Sequence, residues 1–423
     1  MSSSQILSVD EPALPMGART QQRRLMIVFA TVSLSVTMSL GQFGSFERGS
    51  LQYWLIVAPA LLFPLLDLHE LLKTLFGRAK LLLIMLLWAG SWCFVMGDAR
   101  AAMQLCALVL VLAWISTDQA EIDVRDLVRL YLLLVLIGIS VKLLSDFNHY
   151  GLIPGFSDPT YGRLRVSFYP NVAYTGILSL AMLMVLTSSK QCAKSHRIAL
   201  VIAGYFLVFS FVRAALLAAL IYLIARYVFG KYRRPRPRRL FWVAVIVGFG
   251  FNLAIFLSAP ILYALQNNDL VSTLLLRGQT NLSISEILYQ LYRPWLWSAH
   301  LHLFFSSPGW MGWGSSYQTM LDAGGTPIAT TGSESLPTRL LATYGIAGVL
   351  FTFYLVRRLR VLTLRDDRWA CACFPAIFVL MMNWGGVFHP TDGMFIILTL
   401  MITRGSAGFV GRSPVLPLPR YNS

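Results

Sequence analysis

Between residues 259 and 340 the chain gathers Arg277, Glu286, Arg293, His300, His302, Asp322, Glu334 and Arg339. None of these types is expected as filler of a hydrocarbon-soluble segment, so this stretch is where chemistry is expected. Glu334 lies just before a helix expected to start at Pro337, a residue favoured in the first helical turn, and Arg339 falls on that turn. A carboxylate there is either a helix cap or, among arginines, a base toward a hydroxyl whose pKa is set by burial and by those charges. His300 and His302 are two residues apart, point to different faces of a helix, and are read as interfacial packing, not as a shared metal site. Arg293 sits in an aromatic run, LYRPWLW, and projects toward lipid phosphates.

Three arginines outside this stretch also need explaining. Arg163 and Arg165, in YGRLRVSFYPN, precede an apolar run, and Arg213 separates two such runs in SFVRAAL. An arginine at membrane depth costs at least about 2.5 kcal/mol. Arg213 therefore marks a polar cavity or an anionic partner, or it snorkels to the interface.

The elements that must position these residues are apolar. The 423-residue chain is 56% hydrophobic and 13% charged, about half the charged fraction of a soluble domain. This predicts an all-α, polytopic integral membrane protein. Continuous apolar runs exclude an alternating β-barrel pattern. Runs long enough to span fall near 25–43, 51–69, 81–97, 101–117, 127–145, 168–187, 197–211, 213–230, 240–258, 338–356, 371–387 and 389–404. Residues 198–230 read either as one long kinked helix or as two short spans hinged at Arg213. The last two runs form a tight hairpin or a broken helix around residues 388–390. The expected organisation is a cytoplasmic tail over 1–24, nine membrane helices over 25–258, a large periplasmic loop with short interfacial helices over 259–337, three more helices over 338–404, and a cytoplasmic tail over 405–423.

The net charge of +16 is read as a topology signal and not as nucleic-acid binding. With both termini cytoplasmic, most Lys and Arg residues fall on one side, as the positive-inside rule requires. The segment KYRRPRPRR at 231–239 then anchors flanking helices and meets anionic lipid. The N-terminal residues lack the apolar core of a cleavable signal peptide. The five cysteines lack metal-ligand spacing and read as small buried residues. No metal site is expected, and Gly312-x-Gly314 permits a tight turn but is not a dinucleotide fingerprint, because no strand precedes it.

Several loose motifs follow one another in a recognisable order. Arg293-x-x-x-Trp297 precedes Pro308-x-x-x-Gly312-x-Gly314, and Glu334 precedes a helix carrying Leu340, Gly345, Ile346 and Gly348. With FYPN at 168–171 and the Arg213 site, residues 160–360 resemble the superfamily of O-antigen ligases and Wzy-type polysaccharide polymerases. The resemblance implies glycosyl transfer at the outer face of a bacterial inner membrane, from a glycan carried on undecaprenyl diphosphate. It implies no cofactor, no metal and no nucleotide sugar. Arg213, Arg293 and Arg339 would hold the lipid diphosphate, with Arg163, Arg165 and Arg277 in support. Guanidinium forks stabilise the departing charge bidentately, and the incoming hydroxyl attacks with inversion. Ligases of the superfamily carry histidine where this chain has Glu334, a departure that favours a polymerase; His389 is an alternative base. The expected function is polymerisation of lipid-linked repeat units, working with membrane lipids and with chain-length and export proteins. The alternatives are a ligase passing finished glycan to a lipid or protein acceptor, and a flippase for the same lipid.

Overall fold

The computed structural model describes residues 16–40, 51–118, 120–144, 151–153, 165–169, 171–188, 194–231, 236–276, 279–291, 293–323, 335–384 and 393–410. The chain is mostly helical, as its apolar runs predict. Helices α1 (Met16–Leu40), α2 (Leu51–Leu62) and α3 (Leu68–Phe76) come first, the last two joined by a 3-10 turn at Phe63–Asp67. Then follow α4 (Lys80–Val95), α5 (Ala99–Ile115), α6 (Val124–Leu144), α7 (Val172–Ser188), α8 (Lys194–Phe209), α9 (Arg213–Lys231) and α10 (Pro237–Leu257). The 259–337 stretch is built from the short helices α11 (Ala259–Leu265), α12 (Asp269–Leu275) and α13 (Ile284–Gln290), the longer α14 (Arg293–Ser306), and α15 (Tyr317–Ala323). Helices α16 (Leu336–Tyr344), α17 (Ala347–Leu364), α18 (Arg368–Asn383) and α19 (Gly393–Thr403) complete the order.

Among the described residues, three helical stretches are long and apolar enough to cross a membrane: Leu51–Phe76, Arg213–Gly230 and Arg238–Leu257. Shorter apolar helices accompany them at Lys80–Val95, Ala99–Ile115, Val172–Thr187, Arg368–Asn383 and Gly393–Thr403. Large apolar side chains such as Leu87, Ile246 and Leu253 point outward, an arrangement that water would penalise and lipid would not.

Residues 198–230 form two helices, not one. Phe211, at φ 48, takes the chain out of α8, and Arg213 restarts it as α9. The 338–356 run differs from expectation: it breaks at Gly345 (φ 59, ψ −145) into α16 and α17. Nor is the chain purely α. Two-residue strands β1 (Ile122–Asp123) and β2 (Phe409–Val410) pair in parallel, so the first residues after α19 fold back onto the bundle.

The axis of the bundle is the C-terminal pair. From Ala370 to Asn383 every residue of α18 is buried, and so is every residue of α19. Helix α18 packs against α9, α10, α16, α17 and α19, while α19 also meets α1, α5 and α7. Asp367 caps α18 by accepting from the Ala370 amide at 3.0 Å. Helices α4 and α5 separate two polar ends, about 24 Å apart at 1.5 Å per residue. At one end Asp118 pairs with Arg78 and Arg404, and Glu121 pairs with Arg24. At the other lies the turn containing Asp98.

Candidate functional site

The site is built where α14 and α16 pack side by side. Pro294 and Pro337 each occupy a first turn, where a missing amide hydrogen costs nothing. The two helices run in the same sense. His300 Nδ1 lies 3.0 Å from Thr338 Oγ1, and further along, the Trp313 amide that follows α14 donates to Ala342 O at 2.9 Å. The first turn of α16 therefore lies beside the middle of α14. Arg293 and Arg339 sit in the opening turns of these two neighbouring helices, each beside the positive end of its own helix dipole.

Arg293 is held from the bundle axis. Its Nε donates to the Asn383 carbonyl at 3.1 Å, in the last turn of α18. The Asn383 side chain is fixed in turn: Oδ1 accepts from Asn252 Nδ2 of α10 at 2.8 Å, and Nδ2 donates to Val379 O. This amide pair links three helices and was not singled out in the sequence. A lone Asn inside the apolar run FGFNLAI was the available signal.

His300 is fully buried and His302 is exposed, so their expected separation onto two faces holds. Burial, followed by the charge of Arg339, pushes the His300 pKa down from 6.5 to about 4. The imidazole is neutral at physiological pH. Thr338 Oγ1 also lies 3.4 Å from Ser335 O, toward which its hydroxyl donates. The proton then belongs on His300 Nδ1, donating to Thr338, and Nε2 carries a bare lone pair.

That lone pair has no hydrogen-bond partner among the described residues, and neither do the buried Trp297 Nε1 and Ser335 Oγ. Trp297 is one turn before His300, and Ser335 is one turn before Thr338. A buried polar atom left unpaired costs about 1–3 kcal/mol, so three on one pair of helices are unusual.

The glycine-rich stretch after α14 is the other half of the architecture. Gly309, Gly312 and Gly314 all have positive φ, as the tight turn expected from Gly312 and Gly314 requires. The turn is driven into the break between α16 and α17, where the Ile346 amide donates to Trp310 O at 2.9 Å. A Cβ on Gly312 would stand 2.5 Å from both Gly345 N and Thr343 O. On the α4–α5 side, Trp92 Nε1 donates to Gly312 O at 3.1 Å, and Asp98 accepts from both the amide and the hydroxyl of Ser315. Burial raises the Asp98 pKa, but donation from Ala101 and Ser315 outweighs it and holds the carboxyl below its ordinary value. Asp98 was missed because its partner is 217 residues away in sequence.

Arg213 opens α9 and donates from Nη1 to Leu275 O, at the end of α12, at 3.0 Å. It thus ties the bundle to the 259–337 stretch. Arg165 directly precedes Val166, whose amide donates to Phe209 O at the end of α8 at 2.8 Å. Phe168 and Tyr169 of FYPN are core residues, Phe168 packing on Tyr131 and Phe206. Glu334, His389, Arg163 and Arg277 lie outside the described residues. Of the predicted residues, Arg293 and Arg339 are carried by one helix pair, and Arg213 links α9 to the end of α12.

No family model matches the chain, and no curated protein matches it.

Proposed function

We propose that the chain is a twelve-span membrane glycosyltransferase of the bacterial inner membrane that polymerises undecaprenyl-diphosphate-linked oligosaccharide repeats at its periplasmic face. The observation that carries this reading is the α14–α16 pair, which carries Arg293 and Arg339 in the opening turns of two neighbouring helices and anchors Arg293 to the axial helix. Such a region suits a diphosphate: fixed cations and amide dipoles stabilise charge that grows as the leaving group departs. The resemblance adds Arg213 as a further diphosphate ligand, with Arg163, Arg165 and Arg277 in support.

In the reaction, an acceptor hydroxyl oxygen bonds to the anomeric carbon on the face opposite the diphosphate. The anomeric C–O bond breaks, and its electron pair leaves on undecaprenyl diphosphate, neutralised by the arginines. The hydroxyl proton passes to a base. Glu334, one residue before Ser335, is our candidate, with His389 as the alternative. His300, with a pKa of about 4, is too weak a base at neutral pH to take that proton efficiently.

A flippase for the same lipid is the second reading. The helix break at Gly345 is the feature in its favour, since transporters use interrupted helices. Here, however, backbone from the 307–316 turn fills the break.

The deciding experiment is the glycan profile of a deletion strain complemented with variants. Single repeats left on lipid indicate a polymerase, long unattached chains a ligase, and repeats confined to the cytoplasmic leaflet a flippase. Glu334→Gln is expected to insert normally and to stop elongation. Normal polymer length in that variant removes Glu334 as the base.

A further inference from the structure

The end of the bundle opposite the Asp98 turn holds arginines that the diphosphate reading does not use. Arg358 lies in α17 and Arg365 directly follows that helix, Arg404 follows α19, and Arg78 lies in the turn between α3 and α4. They converge on one hub. Asp118 accepts from both Nη atoms of Arg78 and, at 2.9 Å, from Arg404 Nη1. Arg358 Nη2 donates to Thr403 O, one residue before Arg404. The charges of Arg365, Arg78 and Arg404 all act on Arg358, and those of Arg365 and Arg78 act on Arg404.

Four guanidinium groups thus share a single carboxylate. The acids around the hub have partners of their own: Glu70 pairs with Lys73, Glu121 accepts from Arg24, Asp366 lies 3.7 Å from Arg368, and Asp367 accepts from the Ala370 and Ser406 amides. Arg358 is 5% exposed, and among the described residues its Nε has no hydrogen-bond partner. The charged groups that act on it are arginines. A buried charge without a counter-charge is costly, and like charges around it add to the cost. The hub is nevertheless open. Arg365 is exposed, and the Arg78 and Asp118 side chains are 44% and 56% accessible. An anion arriving on Arg365 and Arg78 has open surface to occupy, and it brings the negative charge that Arg358 and Arg404 lack. Beside each accessible arginine stands an outward apolar residue, Phe76 near Arg78 and Leu364 next to Arg365, 70% and 73% exposed. Anionic head and apolar chain together are what a phospholipid offers such a surface.

We propose that Arg78, Arg358, Arg365 and Arg404 form a site for a phosphate group, with the headgroup of an anionic phospholipid as its source. Guanidinium forks match phosphate oxygens bidentately. This site goes beyond the polymerase reading and does not rest on it.

The test uses full-length protein in phosphatidylcholine nanodiscs into which phosphatidylglycerol is titrated at fixed ionic strength, with Tm as the readout. Wild type is compared with Arg365→Gln and with Arg125→Gln, the latter an exposed arginine beside β1 and outside the hub. Both side chains are exposed, so their loss leaves the fold intact. Wild-type Tm is expected to rise saturably with phosphatidylglycerol and Arg125→Gln to follow it. Arg365→Gln is expected to need at least about tenfold more of the lipid, the loss of one charge-assisted hydrogen bond. A rise that never saturates, or equal losses in both variants, means diffuse surface charge and overturns the site. In a parallel arm, inorganic phosphate is added to the phosphatidylcholine nanodiscs and compared with sodium chloride at equal ionic strength. A saturable, phosphate-specific rise that Arg365→Gln loses keeps the site and moves its source to a soluble phosphate. A wild-type Tm indifferent to both phosphatidylglycerol and phosphate removes the site altogether.

Discussion

His300 has its charge state decided by its neighbours, and that makes it measurable. Its pKa is about 4 in the folded protein against about 6.5 when exposed. Between these values the unfolded chain binds a proton that the folded chain refuses, so stability is complete above pH 6.5 and lost as pH falls toward 4. The full difference is about 3 kcal/mol. His300→Gln should flatten the fall in Tm over that interval, and an unchanged pH profile would remove the assignment. Arg293→Ala should weaken engagement of the lipid diphosphate by at least about tenfold, the loss expected for one charge-assisted hydrogen bond. Unchanged donor affinity in a purified assay would count against it. At this scale the sequence was partly legible. Arg293 and Arg339 stood out because charge is scarce in such a chain, whereas His300 read as packing. Its single partner, Thr338, and the unpartnered Nε2 emerge only when two helices meet.

The glycine turn after α14 and the interruption before α17 are one device. Left-handed backbone at Gly312 and Gly345 lets two main chains approach within hydrogen-bond distance, and any Cβ would collide with peptide atoms that cannot yield. Gly312→Ala is expected to destabilise by about 3 kcal/mol or more, with early proteolysis near residues 307–316 while the α18–α19 core stays protected. Resistance equal to wild type would show that the turn has another seat. The 338–356 run gave no hint of the break, since glycine is tolerated within apolar helices and the cause lies in a distant segment. The turn itself was legible from Gly312 and Gly314. The division at Arg213 was also foreseen, as one of two readings, because a charge interrupts the apolar run there.

For the whole molecule, the most buried helices come last in the chain. Helices α18 and α19 form the axis, and the Asn252–Asn383 pair is a polar contact within it. Asn252→Leu leaves Asn383 Oδ1 without that donor. Interhelical hydrogen bonds in apolar surroundings average well under 1 kcal/mol, so a loss of about 1 kcal/mol is expected, together with weaker donor binding through Arg293. Restoration of donor binding by Asn252→Gln would separate positioning from bulk stability, and normal donor binding in Asn252→Leu would detach the pair from the site. Continuous apolar runs placed most of the longer helices within a few residues, while the short helices of 259–337 and the division of 51–69 into α2 and α3 were not located. The runs were silent on which helices would be central, because an all-apolar helix looks the same facing lipid or protein.

The contact between Asp98 and Ser315 also has a consequence in time. The ribosome has made Asp98 and its helices long before Ser315 exists, so the newborn N-terminal half waits with a carboxylate cap that lacks two of its three eventual donors. Seating of the glycine turn must therefore come late in biogenesis, after α16 and α17 have emerged to form the slot it enters. Chains stalled before residue 345 would hold α4 and α5 but have nowhere to seat the turn, and quality-control proteases would find that segment first.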